Sequence, residues 1–323
     1  MAADPRPRAV EAWGLYRLQL ALGAAGIAAC TLVLGAAASA VHVHPAAAHR
    51  LDVAGAHLTY PAVNAAAVVL MVLALLGAAV LAVAIHAAVR QWRGHRRLLA
   101  GLPVTGPLPG HPTVLVIDVA APVAFCAGWL RPRVYVSAAV LDRLSEAELH
   151  AVLAHEHHHG ALRDPLRLAV SRVLCQALFF LPVLRPLHDR YADVAEITAD
   201  AAALEASGGA PGPLASAMLA VGATPAGGVV GISPERVDVL LGEARRAWRL
   251  PRLLLVAALV TLVVLVALVW RASHSASVQA TLNLPIASSQ PCVLVLALVP
   301  VLACLAAAVA RRDALGGARR TAA

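Results

Sequence analysis

The segment Ala154-His155-Glu156-His157-His158-His159-Gly160 contains the pattern H-E-x-x-H. On a helix, residues at i and i+4 lie one turn apart on the same face, so His155 and His159 point the same way. Two imidazoles so placed can grip a single Zn²⁺ ion. Glu156, beside the first of them, is not a ligand and is free to act as a base toward water. Of the histidines in this segment, only the 155/159 pair combines that spacing with an intervening Glu after the first member. The pattern does chemistry only if it sits on a helix and if a third ligand arrives from elsewhere.

The flanking sequence supplies the helix. Ser145-Glu146-Ala147-Glu148 reads as a capping box, with Ser145 as N-cap and Glu148 reaching back to it. The helix it opens carries apolar Leu149, Val152 and Leu153 before the histidines. It is expected to end near Gly160, ahead of Pro165. Upstream, residues 101–112 read as a Pro/Gly linker. Residues 113–119, 122–127 and 133–137 read as short strands of a small sheet. Downstream, residues 166–184 form an apolar helical run interrupted by Arg167, Arg172 and Gln176. Arginine at bilayer depth is costly, so this run is expected to pack on the domain or lie at the membrane surface rather than cross. Residues 186–205 read as a further helix.

A catalytic zinc site takes three protein ligands and keeps one position open. The third ligand is expected from a second helix. Glu196 is the candidate, with Asp189 and Asp193 as competing carboxylates. Asp200 lies one turn beyond Glu196 and is placed to accept the remaining N–H of a ligand histidine. His188, Arg190 and Tyr191 are candidate donors to a developing oxyanion.

The rest of the chain is a membrane protein by composition. Its 323 residues are 60% hydrophobic and its mean hydropathy is +0.75, too apolar for an ordinary soluble domain. About four transmembrane helices are expected, at 20–41, 61–89, 251–270 and 292–310. The first is too long an apolar run for a cleaved signal peptide, and a second span follows it. The net charge of +8 comes from arginine alone, without lysine. Arginines cluster before the first span, after the second, before the third and after the fourth, at Arg6, Arg8, Arg17, Arg90, Arg93, Arg96, Arg97, Arg245, Arg246, Arg249, Arg252, Arg311 and Arg312. The loops 42–60 and 271–291 hold one each.

The positive-inside rule therefore puts 1–19, 90–250 and 311–323 in the cytoplasm and those two loops outside. A peptidase core at 112–205 would sit near the inner leaflet. Composition rich in Ala, Arg, Gly and Pro fits a bacterium with a GC-rich genome. With 4% aromatic residues and no basic-aromatic cluster, no direct nucleic-acid partner is expected. Cysteines at 30, 126, 175, 292 and 304 form no C-x-x-C pair, which leaves no thiolate metal or redox motif.

Several motifs occur in one order: Pro122 to Gly128, Arg133-Val134-Tyr135-Val136-Ser137, Leu141, Leu144, Glu148-Leu149, Val152 to Glu156, His159, and Arg163-Asp164. In that order they resemble the membrane gluzincin metallopeptidases, over about residues 122–203. Two branches share the pattern, the HtpX and CAAX-prenyl-protease type and the BlaR/MecR type of antirepressor. Both carry a downstream Glu-x-x-x-Asp, which falls here on Glu196 and Asp200. The resemblance implies an α-helical integral membrane protein with a cytoplasmic α+β gluzincin-like zinc peptidase domain. It implies one Zn²⁺ held by His155, His159 and Glu196, and Glu156 as general base.

This sequence departs from the family pattern at His157 and His158, positions often apolar or small in the family. The short interval from His159 to Glu196 has no room for the pair of spans of the HtpX type. No antibiotic-sensing domain is recognisable after the last expected span. The chain thus looks closer to the BlaR/MecR type without its sensor. The implied function is a membrane-embedded zinc endopeptidase acting on cytoplasmic or juxtamembrane protein or peptide substrates. A second reading is a signalling antirepressor that cleaves itself or a cytoplasmic transcriptional repressor. A third, of another class, is a non-catalytic metal-binding membrane protein using His42, His44, His49 and His57 of the outer loop. Glu156 speaks against the third, since a metal carrier has no use for a base beside its ligand.

Overall fold

The structure is a computed structural model that describes residues 6–40, 49–53, 56–60, 62–63, 65–222, 236–238, 248, 250–275 and 278–279. The described chain divides into two compact units. One comprises Met1–Leu20, Arg90–Arg172 and Leu184–Pro251, the other Ala21–Val89, Val173–Val183 and Arg252–Ala323.

The second unit is built on long apolar helices: α8 (Arg252–Ser275) and the parts of α1 (Arg6–Ala40) and α2 (Ala65–Ala100) that fall within 21–89. Among the described residues, three helical stretches are long and apolar enough to cross a membrane: Glu11–Ser39, Ala65–Ala100 and Arg252–Ser275. The run expected at 292–310 lies outside the described residues. Val33, Ala37, Leu70, Ala74, Val269 and Ala272 form a common core. Gly77 lets α2 approach α1 closely, for a Cβ there would stand 3.2 Å from the Cys30 carbonyl oxygen. Outside this seam, Leu76, Ile85, Leu253, Val263 and Trp270 are exposed. An outer surface of that composition suits hydrocarbon rather than water. This unit also holds the strand pairs β1 (His49–Val53) with β2 (Ala56–Tyr60) and β3 (Ala62–Val63) with β8 (Val278–Gln279), both antiparallel.

The first unit carries a four-stranded sheet: β4 (Val104–Leu108), β5 (His111–Ile117), β6 (Ala124–Ala127) and β7 (Arg133–Ser137), in the order β4-β5-β7-β6. β5 and β7 are parallel and the two outer pairings antiparallel. Part of the supposed linker 101–112 is therefore a strand. Edge strands tolerate proline and glycine, so Gly106 and Pro107 do not prevent β4 from pairing. The chain reverses into β5 through Gly110 at φ +80, a conformation glycine adopts without penalty.

β7 is the central load of the core because both its faces are covered. Val134 and Val136 join Val114, Val140, Val152 and Leu153 on one side, and Tyr135 joins Ile117 and Phe125 on the other. Ser137 closes β7 and caps α3 (Ala138–Arg143), its hydroxyl accepting from the Val140 N–H.

Helix α4 (Glu146–Leu162) begins with the capping box expected of Ser145 and Glu148, both reciprocal bonds being present. It continues past Gly160 to Leu162 and ends at Arg163 in the left-handed conformation, φ 54. That tight C-cap starts α5 (Asp164–Ala177) at once. At 14 residues and ~1.5 Å per residue, α5 spans about 21 Å, short of the ~30 Å hydrocarbon core. The apolar run 166–184 is thus not one continuous helix. It breaks after Ala177, and α6 (Leu184–Ala206) follows. α6 packs its buried face, with Leu187, Tyr191, Val194 and Ile197, in the interior of this unit. Helix α7 (Gly212–Gly222) completes it, with Leu214 buried against Ala151 and Ala203.

Candidate metal centre

Two helices build the centre. α4 brings His155 and His159 one turn apart, 9% and 8% exposed, with their Nε2 atoms 3.1 Å from each other. α6 brings Glu196 up to the pair. Its Oε1 lies 3.5 Å from His159 Nε2 and its Oε2 3.7 Å from His155 Nε2. One ligand atom from each of the three lies within 4.8 Å of the others, a grouping able to hold a metal ion. Glu196 itself stays 34% exposed, so solvent reaches the cluster past this carboxylate. Asp189 and Asp193, the competing carboxylates on the same helix, are exposed.

The far nitrogens of both histidines face carboxylates. His159 Nδ1 lies 2.9 Å from Asp164 Oδ2, and His155 Nδ1 lies 3.0 Å from Asp200 Oδ1. A carboxylate at Nδ1 retains the proton there and leaves the Nε2 lone pair directed at its neighbours. The tautomers follow from this network rather than from observed hydrogens. Asp164 also accepts from the Tyr191 hydroxyl at 2.8 Å, and is 2% exposed. Asp200, fully buried, accepts twice from Arg236, from Nε at 2.7 Å and from Nη2 at 2.8 Å. The Arg236 Nη1 stands 3.0 Å from Glu196 Oε2.

Electrostatics favour a cation at this point. Burial opposes charge on His155, but the carboxylates of Asp200 and Glu196 beside it and the charge of Glu156 outweigh it and hold its pKa up to about 10. Burial also opposes charge on Glu196, yet His155, His159 and Arg236 pull it down to about 2. Asp200 is lowered by the same contest, with burial outweighed by His155 and Arg236. A field that favours a proton on His155 favours a metal cation as well. Donor chemistry agrees: two imidazoles and one carboxylate, each imidazole backed by an acid, suit Zn²⁺.

Glu156 acts on its surroundings through its charge, which raises the pKa of His155, Arg236 and Cys126. Cys126 on edge strand β6 is pushed up to about 12, first by burial and then by Glu156 and Asp164. It is a neutral thiol at ordinary pH, a small apolar neighbour of the cluster.

The remaining sequence candidates have other partners. His157 bonds the Leu153 carbonyl through Nδ1 at 2.7 Å and the Thr113 hydroxyl through Nε2 at 3.2 Å, which ties α4 to β5. His158 is partly buried, its Nε2 is without a hydrogen-bond partner, and burial followed by the nearby His159 charge lowers its pKa. His188 bonds Ser171 at 2.6 Å, and Ser171 also donates to Gln19. Arg190 donates to Glu11 at 3.1 Å and lies over Trp248. Tyr191 is committed to Asp164.

Two contributors escape a reading of spacing. Asp164 follows H-E-x-x-H closely, within the Arg163-Asp164 pair, and spacing alone does not turn it toward His159. Arg236 arrives from residues 236–238, and no local pattern announces it.

Comparison with known proteins bears on this geometry. Residues 33–234, more than half the chain, match the family described as BlaR1 peptidase M56. No curated protein and no solved structure matches the chain. The matched region contains the three cluster residues, Glu156, Asp164, Tyr191 and Asp200, and stops just short of Arg236.

Proposed function

The chain belongs to the BlaR1-type M56 family of membrane-associated metallopeptidases, and from that premise we propose that it is a zinc-dependent endopeptidase cleaving cytoplasmic or juxtamembrane proteins. The observation that carries this reading is the convergence of His155, His159 and Glu196 from two helices, with Glu156 adjoining the first ligand.

His155, His159 and Glu196 would hold the ion. When bound, zinc supplies Lewis acidity, making a nearby water more acidic and stabilising negative charge on a carbonyl oxygen. Glu156 takes the proton of the water as its oxygen adds to the peptide carbonyl carbon. It then returns that proton to the amine as the C–N bond breaks. Asp164 and Asp200 keep the two imidazoles in the tautomer and orientation that ligation needs. β6 lies at the edge of the sheet beside α4, so an extended substrate can add to it through backbone hydrogen bonds. Specificity would then be partly backbone-driven.

The decisive test is Glu156→Gln in the full chain in detergent. Bound zinc should remain at parental stoichiometry while cleavage of casein or of the chain itself falls by at least about 10²-fold. Retained cleavage would sink the mechanism. A metal carrier would show no difference between variant and parent in any assay.

A narrower reading, which rests on the resemblance to the BlaR/MecR antirepressors, takes a transcriptional repressor or the chain itself as substrate. It requires a cytoplasmic centre, as the arginine distribution implies. With Cys292 replaced, Ala47→Cys should react with an impermeant thiol reagent on intact cells, and Ser207→Cys only after lysis. Labelling of position 207 on intact cells would invert the topology and remove cytoplasmic repressors as substrates.

A further inference from the structure

We propose that Arg236 is a positioning residue of the metal centre, a single guanidinium that sets Glu196 and Asp200 together and through Asp200 aligns His155. This rests on the zinc reading given above but adds a residue that neither the motif nor the family match assigns.

Its geometry is specific. Arg236 is 11% exposed and bridges two carboxylates of one helix face: its Nε and Nη2 donate to the two Asp200 oxygens at 2.7 and 2.8 Å, and its Nη1 forms an ion pair with Glu196 Oε2 at 3.0 Å. Glu196 and Asp200 are i and i+4 on α6, and like charges so spaced repel, more strongly when buried. Arg236 offsets that repulsion, so both remain ionised side by side. Its planar fork also fixes where each carboxylate points, which a point charge on a flexible stem cannot do. With Asp200 fixed, its Oδ1 stays 3.0 Å from His155 Nδ1. With Glu196 fixed, its free lone pairs stay turned to the two Nε2 atoms.

Two opposite expectations make the idea testable. By Coulomb's law alone, a cation beside the site repels a metal ion, and its removal should tighten zinc binding. A positioning role predicts the reverse. Zinc affinity is measured on the full chain in detergent by competition with a chromophoric chelator, and proteolysis is measured separately at saturating zinc. Arg236→Gln should weaken zinc binding by about 10–100-fold, the usual cost of losing an outer partner of the ligands. Turnover should return to within a few-fold of the parent once zinc is in excess. Arg236→Lys keeps the charge and suits the fold if the Gln variant fails to accumulate. It should also bind zinc at least about tenfold more weakly, because an ammonium cannot bridge both acids in the same plane.

Unchanged or tighter zinc binding in both variants would overturn the proposal. So would unaltered zinc affinity combined with a loss of about 10²–10³-fold in turnover at saturating zinc, which marks a donor to the substrate oxyanion instead. The parent separates this inference from the peptidase reading: a parent that binds zinc but cleaves no protein defeats that reading and leaves the affinity test of Arg236 intact.

Discussion

Two unlike arms hold His155 and His159 from behind. His159 leans on Asp164, five residues further along the chain, and Asp164 is held by the hydroxyl of Tyr191. His155 leans on Asp200 of another helix, and Asp200 is held by the guanidinium of Arg236. The first arm starts with a local step and is backed by a neutral group. The second is assembled from distant residues and backed by a cation. A phenol leaves Asp164 with its full charge, and burial together with that charge pushes the Tyr191 pKa above its ordinary value. Arg236 offsets much of the charge of Asp200 and is itself raised by Asp200, against the burial that opposes it. Similar support of two imidazoles is thus reached by different electrostatics, and the arms should fail differently when broken.

The largest effect is expected where the arms meet. Glu196→Ala removes one of three ligands and should weaken zinc binding by well over tenfold, with proteolysis lost in proportion. Asp193→Ala, on the exposed side of the same helix, should leave both near parental. If Asp193→Ala empties the site and Glu196→Ala does not, the two arms do not converge on Glu196 and the comparison itself collapses. Zinc titration of the two variants decides it.

Neutralising each carboxylate comes next. Asp164→Asn and Asp200→Asn should each cost about 10–100-fold in zinc affinity or activity. The loss should be greater at Asp200, because Asn there leaves the Arg236 cation facing the ligands without its main counter-charge, whereas Asn at 164 leaves a neutral phenol. Equal losses would mean that the character of the backing group is immaterial.

The smallest effect is expected at the end of the first arm. Tyr191→Phe deletes one hydrogen bond to Asp164 and leaves a buried acceptor short of a partner, a cost of about 1–3 kcal/mol in stability. Zinc affinity should change by no more than a few-fold, since His159 keeps its bond to Asp164. Thermal unfolding with and without zinc separates the two quantities. A tenfold loss of zinc affinity with unchanged stability would show that the hydroxyl tunes the ligand directly.

Residues close in sequence were readable because their geometry is set by the helix they form. The capping box at Ser145 and Glu148, the i/i+4 pairs His155–His159 and Glu196–Asp200, and the apolar stretches of α1, α2 and α8 all follow from helical period or from length. Pro and Gly misled at 101–112, where edge-strand pairing overrides a composition typical of linkers. The run 166–184, expected as one helix, breaks after Ala177, and the next helix starts only at Leu184.

What the sequence by itself determined is therefore the set of parts: two imidazoles on one face, a carboxylate beside the first, a capped helix to carry them, and helices of hydrocarbon length. Only the tertiary structure decided how they meet. It turned Glu196 rather than Asp193 or Asp189 toward the histidines, because α6 buries the Tyr191–Val194–Ile197 face and so leaves one orientation for its carboxylates. It folded Asp164 back on His159 through the left-handed turn at Arg163, and it brought Arg236 to Asp200 across 36 residues. Such contacts depend on which helix faces pack. That is settled by the burial of the whole unit and leaves no period or spacing in the chain to read.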